Sequence, residues 1–537
     1  MRRAVFAFLV ATMVGGGTAG GLAACSSGSG GGSPSGSTDA STLDHIAADA
    51  GNGLVPQLAC TDTIDSVYAD PGDVSAKPKG SILKCAHDRD LTAAELMAEA
   101  QANVDGGDPP YAGRPFTSGA HLYRVLYRTE RGDDNAAGIG SPGYSSALLL
   151  LPEKPRLGAG EALPAIVAAH GSRGQAGKCA PSRFDPAGDY VKEDFLHLVY
   201  PLVGLGYPVI APDYAGYANF GGANNPPPTY SHASDIGKSM LDGARAIRNL
   251  LASSDLTDQT VIAGHSQGGF AALSTLAMSD RYGGAGTGVI SAVALYAPLW
   301  FSQRGWGAVF AEPSSEAFSK SAGGIVSTLY HYTESYLLDG PDAALELFNP
   351  SKAAAVQAFV DNDCWAATYP DLMEAGASAN DLFSSTYINA ITNAALPPPL
   401  GSGGNCGGSA LCQTWIDRMT ADYPHLDGGA SKVPIALVYA AGDTTITPDL
   451  MQCVFNRLST DGTDYQICYD TDPVGHPGSV ADNADWVADW IASKTIADAG
   501  APGAGHCTSL APNEAGVPQL LNGSGSPVKC SGFISSE

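Results

Sequence analysis

Short apolar runs separated by amphipathic stretches set the rhythm of this chain. Residues 165–169, 208–211, 261–263, 290–297 and 433–440 are mostly apolar. Runs of this length, bounded by turn residues, read as strands buried on both faces of a sheet. Residues 121–129 alternate in part, with Leu122, Val125 and Leu126 apolar, and 145–151 form a second strand. These two are expected to pair antiparallel across the glycine-rich connection between them. Residues 465–469 are a further strand candidate. Helical stretches fall at 91–103, near 194–204, and at 233–251, where Ile236, Met240, Ala244 and Ile247 recur at helical spacing. An alanine-rich helix follows at 270–278, and a closing helix at 481–493 carries Trp486, Val487 and Trp490 on its apolar side. Repeated strand and helix units predict an α/β fold with a mostly parallel central sheet and helices on both faces. Residues 301–430 break the rhythm. They are helix-prone and aromatic (Trp306, Tyr330 and Phe348, with Trp300 and Phe301 at the edge), and read as an inserted helical cap.

The chemistry concentrates at Gly264-His265-Ser266-Gln267-Gly268-Gly269. Glycine is 66 of 537 residues, so Gly-x-Ser-x-Gly alone is a weak signal. Its context is stronger, because strand, sharp turn and helix is what a nucleophile elbow needs. The plainer reading is a glycine-rich turn with an ordinary serine. A serine nucleophile requires a base, and the base an orienting acid. Downstream, Asp443 follows the strand ending at Ala440, and His476 lies in the loop before the closing helix. The order Ser, Asp, His along successive strand ends is the one an elbow enzyme uses. Asp443 also reads as a turn aspartate, with Asp449, Asp470 and Asp472 as rival acids, and His476 as a surface histidine. His265 is expected to point away from the site, and Arg173 and Asp213 to be structural or rim residues. Two backbone N–H donors are needed for an oxyanion. Gln267 supplies one, and Ser172 in the His170-Gly171-Ser172 loop the other, with Arg173 as the alternative.

Length allows one large domain with insertions or two to three smaller ones. The 44% hydrophobic content is enough for a sizeable core. The formal charge of -26 disfavours nucleic acid and anionic surfaces as partners. Arg2 and Arg3 followed by an apolar run to Val14 read as an export signal. Leu22-Ala23-Ala24-Cys25 resembles a bacterial lipobox, with Cys25 as the lipidation site before a Gly/Ser tether, so membrane attachment through an N-terminal lipid is expected. Ordinary cleavage to a free secreted protein is the alternative. The expected location is therefore outside the cell, as a bacterial envelope lipoprotein or a secreted protein. Ten further cysteines imply five disulfides in an exported chain. Proximity pairs Cys60–Cys85, Cys406–Cys412, Cys453–Cys468 and Cys507–Cys530, which leaves Cys179–Cys364. No CxxC or His-rich cluster points to a metal. The expected divisions are a signal at 1–24, a tether at 25–42 and an N-terminal extension at 43–115. Core segments at 116–300 and 431–495 then flank the cap at 301–430, and a disulfide-stapled tail follows at 496–537.

The chain resembles an α/β-hydrolase of the secretory lipase family over about residues 115–495. Besides the elbow, the matching stretches are Gly206-Tyr207-Pro208-Val209-Ile210-Ala211-Pro212-Asp213-Tyr214, Leu241-Asp242-Gly243-Ala244-Arg245-Ala246-Ile247, Lys178-Cys179-Ala180-Pro181-Ser182 and Gly442-Asp443. The resemblance implies hydrolysis of small or lipid carboxylic esters without a cofactor, and a helical cap between nucleophile and acid. It also implies a bond from Cys179 to a cap cysteine, in keeping with Cys179–Cys364. His170-Gly171 departs from the acidic loop of the fungal lipases and leans toward a general esterase. A serine peptidase of the same fold, or a binding protein on an inactive scaffold, are the rival readings. No propeller repeats favour the first, and an intact triad argues against the second.

Overall fold

The computed structural model describes residues 53–102, 109–134, 140–183, 194–365, 370–503 and 505–530. The export signal, Cys25 and the tether at 25–42 lie outside the described residues.

Among the described residues, ten strands form one sheet: β1 (Ile82–Leu91), β2 (Ala120–Arg131), β3 (Ser141–Pro152), β4 (Leu163–Ala169), β5 (Val209–Ala215), β6 (Leu256–His265), β7 (Val289–Tyr296), β8 (Ile435–Ala440), β9 (Tyr465–Asp470) and β10 (Cys507–Thr508). Their spatial order is β1-β2-β3-β5-β4-β6-β7-β8-β9-β10. The pairs from β5 through β9 are parallel, while β1, β2 and β3 run antiparallel to their neighbours and β10 runs antiparallel to β9.

The apolar runs work because side chains alternate across a strand. In β4, Ala165, Val167 and Ala169 enter one core, and Ile166 and Ala168 enter the other. In β7, Val293 and Leu295 face the first core, and Ala292, Ala294 and Tyr296 the second. The helices Ala233–Leu250 and Gln267–Tyr282 close the first face through residues such as Ile236, Met240, Phe270 and Leu273. The helix Gly478–Thr495 closes the second through Val480, Val487, Trp490 and Ile491. Each such side chain removed from water contributes about 1.5–3 kcal/mol, so a strand apolar on one face only would forfeit half of this.

Between β7 and β8 the chain leaves the sheet and builds a helical insertion, with Ala322–Asp339, Ser385–Ala395 and Ala410–Ala421 as its longer central helices. Its aromatics pack on one another within the apolar cluster that also fills the first core face. Trp306 stacks on Tyr330 at 4.0 Å between ring centroids, and Trp415 packs against His331 and Tyr387. The N-terminal stretch does more than pack on the domain, because β1 extends the sheet edge. Sequence patterning missed it because ILKCAHDRDL has no clean alternation.

Three of the expected disulfides are present: Cys60–Cys85, Cys179–Cys364 and Cys406–Cys412. The other two pairings are corrected. Cys453 bonds Cys530, and Cys468 bonds Cys507. Nearness in sequence misleads here because the sheet stands between the two cysteines. Cys453 lies on helix Pro448–Thr460, whose apolar side packs on one face, whereas Cys468 is buried in the core of the other. The tail then passes both. β10 pairs with β9 beside Cys468, and Leu520 N donates to Gln452 Oε1 on the Cys453 helix at 2.9 Å. The tail is stapled to the core at two points rather than to itself. Non-reducing peptide mapping will therefore recover Cys453–Cys530 and Cys468–Cys507. Cys507→Ala will cost about 2–4 kcal/mol of stability, read as a lower unfolding midpoint.

Candidate active site

Ser266 follows β6 and caps the helix Gln267–Tyr282. Its backbone sits at φ 56° and ψ -118°, a conformation that costs a non-glycine residue on the order of 1–3 kcal/mol. Hydrogen bonds hold it there. Ser266 N donates to Tyr296 O at 2.9 Å, and Ser266 O accepts from Leu299 N and Gly269 N, both at 2.9 Å. The flanking glycines are required by space. A Cβ on Gly264 would stand 2.1 Å from Gly268 O, and one on Gly268 would stand 2.0 Å from Ala169 O. Helix and strands can meet this closely only where side chains are missing.

Asp443 sits in the loop after β8 and is almost fully buried. Its Oδ1 accepts from Thr445 N at 2.8 Å and Ile446 N at 2.9 Å, and its Oδ2 lies 2.7 Å from His476 Nδ1. The turn role and the partner role thus belong to the same carboxylate, one oxygen each. The rival acids are engaged elsewhere. Asp449 accepts from Thr447 Oγ1, Asp470 from Asn483 Nδ2, and Asp472 lies 2.7 Å from His506 Nδ1. A Cβ on Gly442 would meet Val474 O at 2.4 Å, so the aspartate and histidine loops touch through bare backbone.

His265 does not point away from the site. Its ring packs on that of His476, with centroids 4.5 Å apart. The reason is the elbow itself, which turns the last strand residue toward the strand ends. Gly171 closes the other side. Its pro-Cβ position lies 3.4 Å from both Ser266 Cβ and His265 Nδ1. The structure thus gathers Ser266, His265, His476, Asp443 and the 170–172 loop at one edge of the sheet.

That loop is held from several directions. His170 stacks on Tyr214, and its Nδ1 and Nε2 lie 2.6 Å from Gly171 O and 3.1 Å from Asp213 O. Ser172 Oγ is 2.6 Å from Tyr230 Oη. Arg173 is buried, and its carbonyl accepts from Trp365 N of the insertion at 2.8 Å. Asp213 is enclosed and hydrogen-bonded by Ser146 Oγ and by the backbone and hydroxyl of Ser182. Burial raises its carboxyl above the usual range, against the pull of these donors. Tyr230 was not singled out in the sequence. The only hint was the proline run just before it, at 226–228.

Residues 190–292, which include the elbow, match the model of the secretory lipase family. No curated protein matches the chain. Among solved structures, a Legionella pneumophila protein described as a candidate hydrolase aligns with TM-score 0.58 at 17% identity, covering 78% of this chain and 99% of that one. The rice cell wall degrading esterase of Xanthomonas oryzae aligns at 0.53 and 16%, covering 76% and 94%. Candida antarctica lipase A in its closed state aligns at 0.55 and 13%, covering 82% and 89%. The fold is that of the α/β-hydrolases.

The two kinds of glycine at this site separate by experiment. Gly268→Ala will fail to fold or lose more than about 3 kcal/mol, because backbone must move. Gly171→Ala will melt within a few degrees of wild type but label more slowly with a fluorophosphonate, because its methyl crowds Ser266. Thermal unfolding alongside labelling rates checks both.

Proposed function

We propose that the protein is an exported serine hydrolase of carboxylic esters, with Ser266, His476 and Asp443 as its triad. The observation that carries this reading is the positive-φ serine at a helix N-terminus, beside a hydrogen-bonded His476–Asp443 pair that packs on the elbow. Ser266 Oγ attacks the ester carbonyl while His476 accepts its proton. Asp443 orients the imidazole and stabilises the imidazolium. The backbone N–H groups of Gln267 and Ser172 bind the oxyanion. The alcohol leaves with the proton held by His476, and water then releases the acid from the acyl-enzyme. Support for the Ser172 donor comes from Gly171, which lies against Ser266, and from the Tyr230 hydroxyl that fixes the Ser172 side chain. Lipid attachment at Cys25 would hold the enzyme at the cell envelope on its Gly/Ser tether.

A p-nitrophenyl ester series from acetate to palmitate tests the activity on mature protein lacking Cys25. Turnover should fall at least about 10⁴-fold in Ser266→Ala, and the chain-length optimum separates esterase from lipase. No turnover and no fluorophosphonate labelling of Ser266 would overturn the reading in favour of a binding scaffold. Separately, Cys25→Ser should move the protein from the membrane fraction to the soluble fraction. An unchanged distribution would refute lipid attachment.

A further inference from the structure

Far from the serine in sequence, His232, Glu334 and Asp422 bring three donor groups together, with ligand atoms all within 4.8 Å of one another. His232 immediately precedes the helix Ala233–Leu250 of the core. Glu334 lies on the insertion helix Ala322–Asp339, and Asp422 ends the insertion helix Ala410–Ala421. All three side chains are at most 2% exposed. We propose that His232, Glu334 and Asp422 bind a zinc ion that ties the insertion to the hydrolase core.

Geometry supports the donor set. His232 Nδ1 lies 2.7 Å from Glu334 Oε2 and 3.6 Å from Asp422 Oδ1. These spacings bracket the roughly 3.4 Å between ligand atoms around a tetrahedral zinc with bonds of about 2.0–2.1 Å. Imidazole and carboxylate oxygens are zinc ligands. The Asp422 carboxylate is already oriented. Its Oδ1 accepts from Ala233 N at 2.6 Å, and its Oδ2 accepts from the Tyr330 hydroxyl at 2.9 Å. Outer-shell hydrogen bonds of this kind fix ligand direction in metal sites. Glu334 Oε1 is enclosed and has no hydrogen-bond partner.

Charge balance points the same way. Two buried carboxylates and a neutral imidazole carry a charge of minus two, which a divalent cation cancels. Buried charge left uncompensated is costly. Of the charged groups around the cluster, Asp133 lies 3.6 Å from His232 Nε2 and Asp235 faces the same imidazole, while Arg418, paired with Asp339, faces Glu334. Zinc binding takes the imidazole and both carboxylates in their deprotonated forms. The sequence held no sign of the site because its donors are spread over three distant segments and form no spacing motif.

The site adjoins the 170–172 loop. Tyr230, two residues before His232, meets Ser172 through its hydroxyl, and its N–H donates to Thr333 Oγ1, next to Glu334. The proposal does not depend on the ester substrate and is tested without it. Tag-free, full-length exported protein is dialysed against trace zinc and assayed by elemental analysis, then titrated with zinc against a competing chelating dye. The expected result is one zinc per chain, with an unfolding midpoint that drops on chelation and recovers with zinc. Glu334→Gln should weaken zinc at least about 100-fold with the near-ultraviolet circular dichroism of the folded protein retained. His506→Ala, at the more exposed group of Asp470, Asp482 and His506, should leave the stoichiometry unchanged. No zinc taken up by wild type, with a midpoint indifferent to chelator, would overturn the proposal and leave a proton-sharing network. Full stoichiometry in folded Glu334→Gln would also overturn it. If Glu334→Gln fails to fold, the wild-type titration alone decides.

Discussion

Everything at the elbow edge of the sheet depends on three pieces of backbone coming closer than side chains permit. Gly264 and Gly268 let the end of β6, the start of the following helix and the end of β4 meet. Only then can Ser266 be held at φ 56° by bonds to Tyr296 and Leu299. The strain is local, and the parallel sheet around it is what makes it tolerable. β4, β6 and β7 are apolar on both faces and sit in two cores, so they do not yield. The serine is therefore presented by the stiffest part of the molecule, while its partners come from loops.

Those loops are fixed by polar contacts of unequal kinds. Asp443 spends one oxygen on its own turn and one on His476, so a single carboxylate shapes the loop and orients the imidazole. The 170–172 loop is gripped by Tyr214, Tyr230 and the insertion. Core and insertion share one continuous apolar cluster, which includes Trp306 and Tyr330 as well as Phe270 and Leu273. The insertion is thus a second half of the core rather than a loose cover.

The strands were legible where burial on both faces forces unbroken apolar runs, as at 165–169 and 261–263. The elbow was legible because steric need fixes glycine at set offsets from the serine. What escaped the sequence was set by neighbours distant in the chain. β1 reads as polar because it is an edge strand, with its outer positions only partly covered. The tail cysteines looked self-paired because sequence distance ignores the sheet standing between Cys453 and Cys468. The inward turn of His265 is a property of the elbow's backbone, not of the residue type. Tyr230 and His232 gain their roles only when the insertion helix lies alongside.

The bond between Cys179 and Cys364 joins the loop after β4 to the middle of the insertion, and Trp365 N reinforces it by donating to Arg173 O. Both ends of the insertion continue into β7 and β8, and Thr333, Glu334 and Asp422 bond to Tyr230, His232 and Ala233, so the insertion is anchored at several places along its length. A segment held at so many points cannot swing off as one piece. Reduction of Cys179–Cys364 would remove one of these anchors and leave the others in place.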